Sequence, residues 1–431
     1  MPVLIIALIE FMRDKKLSQR LARLLFSCAL VLPGIALAKA GIHGQDNTRT
    51  ASVMACAKEN AMPSLRCAYA PSARFDRQGR LWLAWAFGGH VYVNYSDDKG
   101  QSYSPPVAVN VVPEMIAARA ENRPKIDIDR QGRVYVSWTQ KLAARFSGHI
   151  RFSYSLDGGK RFAEPITVND HLEITSHRFE SLAVNRRGDI YIAWLDKRDK
   201  LAASAKGNEY RGAALYYSVS IDGGKSFAKN QKVLDHSCEC CRTAMAIDRD
   251  DLPVILWRHI FGKNIRDHAL VKFVSRMQPG QVVRASYDDW QIDGCPHQGP
   301  DISIADDGVY HLVWFNNAPK RHGLFYARSS DQGQSFSSPI NFGNYQARAS
   351  HPQVLSLGEK VFLAWQEFDG KQALLMAMRS NNGGKLWSRP QRIAEVDGGT
   401  DYPLLLSDHN RVYLAWHRRG QAYQLFPLNQ P

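Results

Sequence analysis

The stretch Ser155-Leu156-Asp157-Gly158-Gly159-Lys160-Arg161-Phe162 decides the fold, because it recurs along the chain. Its copies begin at Ser96, Ser220, Ser329 and Ser380, the last with Asn382 in place of the aspartate, and each reads Ser-x-Asp/Asn-x-Gly-x-x-aromatic. Residues of these types at this spacing specify a self-contained hairpin turn. The Asp or Asn oxygen accepts backbone N–H groups, glycine supplies a positive φ, and the aromatic ring tucks under the turn. A turn of this kind can be copied wherever two strands meet.

A second repeat runs out of phase with the first and ends in tryptophan. Pro71 to Trp85, Pro124 to Trp138, Glu180 to Trp194, Thr243 to Trp257, Pro300 to Trp314, Pro352 to Trp365 and Pro403 to Trp416 align almost without gaps, which makes seven copies. Steps of 53, 56, 63, 57, 51 and 51 residues between these tryptophans match a four-stranded propeller blade rather than a helical solenoid. Within each copy β-branched and aromatic residues alternate on either side of an Asp/Gly turn, as in two paired strands, and no segment of the repeat region reads as a helix. The expected fold is all-β, a single propeller of four-stranded antiparallel blades, seven by this count. After Trp416 there is chain for a third strand but not a fourth, so residues 51–58 are expected to supply it and close the ring, stapled by Cys56–Cys67.

The chain carries a net charge of +14, with 45% hydrophobic and 10% aromatic residues, enough for a core between stacked sheets. Residues 1–40 hold six Lys/Arg against Glu10 and Asp14, and read as a basic region, a short apolar run from Leu24 to Ile35 and a small-residue cleavage site around Ala36-Leu37-Ala38. This predicts a signal peptide over 1–40, with Met12 as the better start, and a propeller over 41–431 in a periplasmic or secreted protein. The apolar run is too short to span a membrane. The basic surplus suits an anionic ligand. Secretion, and the lack of a Lys/Arg-aromatic stripe, argue against nucleic acid. A monomer is expected.

The turns resemble the Asp-boxes (BNR repeats) of the sialidase-like β-propellers, across nearly all of 41–431. Such sialidases usually have six blades where seven copies are counted here. The resemblance implies recognition of a carbohydrate or another anionic small ligand at one end of the central channel, and in its catalytic form an exo-glycosidase. That form needs an arginine cluster for a substrate carboxylate, carboxyl acid/base groups and a tyrosine nucleophile. Arg123, Arg178, Arg242 and Arg266 could form the cluster with His351 beside them, Tyr402 could be the nucleophile, and Glu180, Asp267 or Glu121 the carboxyls. The family's Arg-Ile-Pro opening appears only as Asn122-Arg123-Pro124, which weakens the catalytic form and leaves a binding module as the alternative.

Six cysteines follow the leader. Cys56 and Cys67 form a natural local pair. Cys238-x-Cys240-Cys241 opens the fourth copy and Cys295-Pro296-His297 the fifth, so equal register predicts that they meet. They would meet either as a copper or zinc site of thiolates and imidazole or as disulfides.

Overall fold

The computed structural model describes residues 53–58, 61–398 and 400–428. The expected signal peptide at 1–40, with Met12, lies outside them. The described residues form an all-β, seven-bladed propeller. Its seven sheets follow one another along the chain, six with four strands and the last with three. The inner strands are Tyr69–Phe75, Lys125–Ile128, His177–Val184, Ala244–Ile247, Asp301–Ile304, Ser350–Leu357 and Leu404–Ser407. Each packs beside the next around the axis, and the last packs beside the first.

Strand alternation explains how the blades stack. In the second strand of blade one, Leu81, Leu83 and Trp85 face blade seven, while Trp82 and Ala84 face blade two. Every blade divides its side chains in this way, and the outcome is seven apolar clusters, one per interface between neighbouring blades. The seven aligned tryptophans lie in their second strands and are at most 2% exposed. Each indole N–H is matched to an acceptor, such as Asp196 Oδ2 for Trp194 or Glu367 Oε1 for Trp365, so its burial leaves no orphan donor.

The five repeated turns share one hydrogen-bond pattern. In the turn at 155–162, Ser155 Oγ donates to Asp157 Oδ1 at 2.9 Å, Gly159 N donates to Ser155 Oγ, and Arg161 N donates to Asp157 Oδ1. The turn built on Asn382 repeats these bonds through Ser380, Gly384 and Leu386. All five join strands three and four, at the end of the blade opposite the aligned tryptophans, as Ser155 pairing with Val134 shows. The glycine four residues after the serine of each turn also closes a joint with the preceding blade. A Cβ at Gly159 would lie 2.6 Å from Trp82, and one at Gly224 2.7 Å from Phe152. Blade four has lost its turn. Instead Arg276 makes a two-point ion pair with Asp189 of blade three, and Tyr217 donates to Met277 O.

Two expectations need correction. A helix forms at Arg198–Ala205, between the second and third strands of blade three, in the longest of the tryptophan-to-tryptophan steps. Its sequence is rich in helix formers, and Asp196 Oδ1 accepts from Arg198 N at its start. The alternation of the flanking strands masks so short an insert. Residues 53–56 are a helical turn rather than a strand, consistent with their Ala- and Met-containing sequence, and blade seven keeps three strands among the described residues. Ring closure is achieved otherwise. Cys56–Cys67 is bonded, Gly420 N donates to Arg66 O, His417 Nε2 meets Leu65 O at 2.9 Å, and Phe75 and Trp85 share a cluster with Tyr413 and Tyr423.

Candidate functional site

The loops entering the inner strands converge at one end of the channel, and the repeat register fixes what they bring. The positions just before the aligned Pro/Glu/Thr are Ala70, Arg123, Phe179, Arg242, Gly299, His351 and Tyr402. Four of these form one cluster. The Arg123 guanidinium carbon lies 3.9 Å from the Tyr402 ring centroid and that of Arg242 5.1 Å from it, while the His351 ring stacks parallel to Tyr402 at 5.0 Å. Glu121 ties the cluster together. It accepts from Arg242 Nη1 at 2.6 Å, from Arg242 N at 2.8 Å and from Gly299 N at 2.9 Å, and His351 Nε2 lies 3.7 Å away. One buried carboxylate of blade two thus reaches blades four, five and six. Burial would raise its pKa, but Arg242, His351 and the two amides outweigh that and hold it below the usual carboxylate range.

The two arginines are already committed. Arg123 gives Nη2 to Asp401 at 2.6 Å, Nη1 to Pro71 O and Nε to Ala120 O, and Arg242 gives Nη2 to Pro352 O besides its pair with Glu121. Tyr402 makes no side-chain hydrogen bond to a described residue. Burial raises the pKa of its hydroxyl despite both arginines. Burial likewise pushes His351 down to about 4, so it is neutral at pH 7.

Beneath the cluster runs a cavity of about 570 Å³ lined by the inner strands, with Arg123, Arg242 and Tyr402 among its walls. The residue after each aligned Pro/Glu/Thr forms a ring in this wall: Ser72, Lys125, Ser181, Ala244, Asp301, Gln353 and Leu404. Only Lys125 and Asp301 in it are ionisable. Burial moves their pKa values toward each other, Lys125 down to about 8 and Asp301 up to about 6. Lys125 Nζ donates to Arg123 O at 2.7 Å and has no ion-pair partner among the described residues, so two of its N–H groups are unspent. Glu180, fully buried beside it, accepts from Thr139 Oγ1 through Oε2, whereas Oε1 has no partner among the described residues. Burial raises its pKa, with Lys125 acting in the opposite sense.

Three sequence-predicted residues stand apart from this cluster. Asp267 is fully buried, its Oδ2 held in an ion pair with Arg284 and accepting from Asp289 N within its own blade, while Oδ1 has no partner among the described residues. Arg178 packs over Phe179 and Phe146, and its electrostatic partners are Glu180 and Cys240. Arg266 donates Nη1 to Cys238 Sγ at 3.4 Å.

The cysteines of blades four and five do meet. The sulfurs of Cys238, Cys240 and Cys241 lie 3.8, 3.9 and 4.0 Å apart, all three residues buried. Cys240 also belongs to a second donor group with the exposed Cys295 and His297, the donor atoms lying within 4.8 Å of one another. Hydrogen bonds from Cys240 and Cys241 draw the Cys238 thiol well below its ordinary pKa, helped by Arg258 and Arg266.

No protein-family model matches the chain, and no curated protein matches it. Among solved structures it is similar to an ulvan lyase of polysaccharide lyase family PL25, with 11% identity, coverage of 84% of this chain and 93% of that one, and a TM-score of 0.51. It is similar also to the polysaccharide lyase Uly1, with 10% identity, coverage of 85% and 90%, and a TM-score of 0.52. The Hadza microbial sialidase Hz136 aligns at 12% identity over 80% of this chain and 76% of its own, with a TM-score of 0.46. At such identities the likeness is one of fold.

Proposed function

We propose that this propeller is a periplasmic or secreted protein that binds an anionic carbohydrate in its central channel, with Lys125 meeting the ligand's charge. The observation that carries this is Lys125 itself, a channel-wall ammonium with unspent donors and no ion-pair partner among the described residues, in a cavity of about 570 Å³. A site of that size takes a small ligand or the end of a glycan. The related ulvan lyase fold is bound to -[GlcA(1-4)Rha3S]- in one of its structures, so a propeller of this architecture accommodates such a chain. The Cys56–Cys67 disulfide suits an oxidising compartment, and no described helix is long and apolar enough to cross a membrane.

Binding is favoured over sialidase-type turnover by the commitments of the cluster. Arg123 and Arg242 are paired with Asp401 and Glu121, and among the described residues no carboxylate hydrogen-bonds Tyr402 to activate it as a nucleophile. Calorimetry against sulfated, uronate-terminated and sialylated oligosaccharides tests the proposal. Lys125→Met should weaken binding about 10- to 100-fold, the value of one charged hydrogen bond. Affinity should also fall as pH rises through about 8, where Lys125 loses its proton. Equal binding by wild type and variant removes the assignment, and turnover of a fluorogenic sialoside that Tyr402→Phe abolishes would replace it with the catalytic one.

The same residue has an opposite effect on stability. Its folded pKa lies below the unfolded value, so the unfolded chain binds the proton more tightly and stability rises with pH between about 8 and 10.5. At pH 7 Lys125→Met should therefore stabilise the fold by about 3 kcal/mol, read from denaturant unfolding.

A further inference from the structure

We propose that Cys238, Cys240 and Cys241 form a three-coordinate site for Cu(I), loaded through the exposed Cys295 and His297. The first argument is geometric. A triangle with sides of 3.8, 3.9 and 4.0 Å has a centre about 2.25 Å from each corner, close to the length of about 2.3 Å for a bond between thiolate and a first-row metal ion. An ion at that centre needs no movement of the sulfurs.

The second argument is charge, and it selects the ion. Arg258 and Arg266 are buried, 2% and 8% exposed, and neither has a carboxylate partner among the described residues. Arg258 gives its Nη donors to the carbonyls of Arg266, Gln298 and Phe315, and Arg266 gives Nη1 to Cys238 Sγ. Glu239, on the same loop as the cysteines, is turned to Lys197 and Lys200 instead. Two buried cations without a counter-charge are costly, and the sulfurs are the anions within their reach. A disulfide is neutral and compensates neither arginine. Three thiolates around a divalent ion carry one negative charge and compensate one. Three thiolates around a monovalent ion carry two and compensate both. A soft, monovalent ion that prefers thiolate ligands is Cu(I).

Cys240 is common to the buried triangle and to the outer group with Cys295 and His297. An incoming Cu(I) held by the exposed pair can therefore exchange onto Cys240 and then onto Cys238 and Cys241. The thiols release their protons on binding, and copper keeps its oxidation state throughout.

The experiment uses the chain purified anaerobically under reducing conditions and titrated with Cu(I) against bathocuproine disulfonate. One Cu(I) per chain should be retained, with X-ray absorption showing three sulfur neighbours at about 2.2 to 2.3 Å. Cys240→Ser and Cys241→Ser should each lower affinity at least 100-fold. Cys295→Ser should keep the stoichiometry and slow transfer from the chelator several-fold. Should the triangle variants fail to fold, the wild type still decides the matter: Cu(I) must protect Cys238, Cys240 and Cys241 from alkylation, read residue by residue by mass spectrometry. Failure to hold copper, displacement of Cu(I) by four-coordinate Zn(II), a disulfide among the three cysteines in protein taken from its native compartment, or loss of the ion in Cys295→Ser would each overturn the site. An unchanged transfer rate in Cys295→Ser would overturn the route of entry.

Discussion

Glu121→Ala should cost about 3–5 kcal/mol of folding stability, the usual result of removing one partner from a buried ion pair. The variant leaves Arg242, itself 6% exposed, as a buried charge without its carboxylate, and it strips the acceptor from two backbone amides, those of Arg242 and Gly299. These groups sit at the entrances of blades two, four and five, so the loss falls on contacts that cross the ring rather than on one blade. Urea unfolding should show a lower midpoint with an unchanged slope. Glu121→Gln keeps the shape and one acceptor, and should recover part of the loss. A change below about 1 kcal/mol for Glu121→Ala would mean that Arg242 finds water or another partner once the carboxylate is gone.

Gly384→Ala should cost a similar amount for a different reason. The residue sits at a φ of +78°, and a Cβ there would lie 1.8 Å from Tyr326 Oη of the neighbouring blade, so backbone strain and overpacking add to about 3–5 kcal/mol. The adjacent Gly383 supplies the control. It too has a positive φ, +67°, but no described residue stands within 4 Å of its would-be Cβ, and its alanine variant should lose only about 1–2 kcal/mol. The difference between the two isolates the joint between blades five and six from the turn itself. Equal losses would show that the turn's conformation, and not its seat on Tyr326, matters.

The fold was legible because its signals are local and repeated. A Ser-x-Asp turn makes its bonds within eight residues, and a strand pattern needs no distant partner to be read. The helix at Arg198–Ala205 was hidden because one short insert carries no repeat of its own. At the site, register alone brought Arg123, Arg242, His351 and Tyr402 to one level. It could not show that Arg242 spends its charge on Glu121, 121 residues away, or that Asp267 spends its own on Arg284. Such pairings depend on which rotamers the closed ring allows. Lys125 is not among the candidates that the sequence offers. The signal was present all the same: one position after each aligned Pro/Glu/Thr the copies read Ser, Lys, Ser, Ala, Asp, Gln and Leu, and a lone lysine at a level facing the axis is out of place there.

The glycine seats of the turns run one way around the ring. Gly159, Gly224, Gly333 and Gly384 each face the blade made just before their own, and Gly100 of blade one faces Leu425 of blade seven, where Lys99 also pairs with Asp408. A circle in space is thus a directed line in time. As the polypeptide is synthesised, four of these seats find their partner already waiting, but the seat of blade one stays empty until the last blade is made. Until then the side of blade one carrying Leu81, Leu83 and Trp85 has nothing to cover it. Blade seven therefore acts as a clasp, and a chain cut short before it would expose a sticky apolar edge that a finished one conceals, a difference that proteases and chaperones can read.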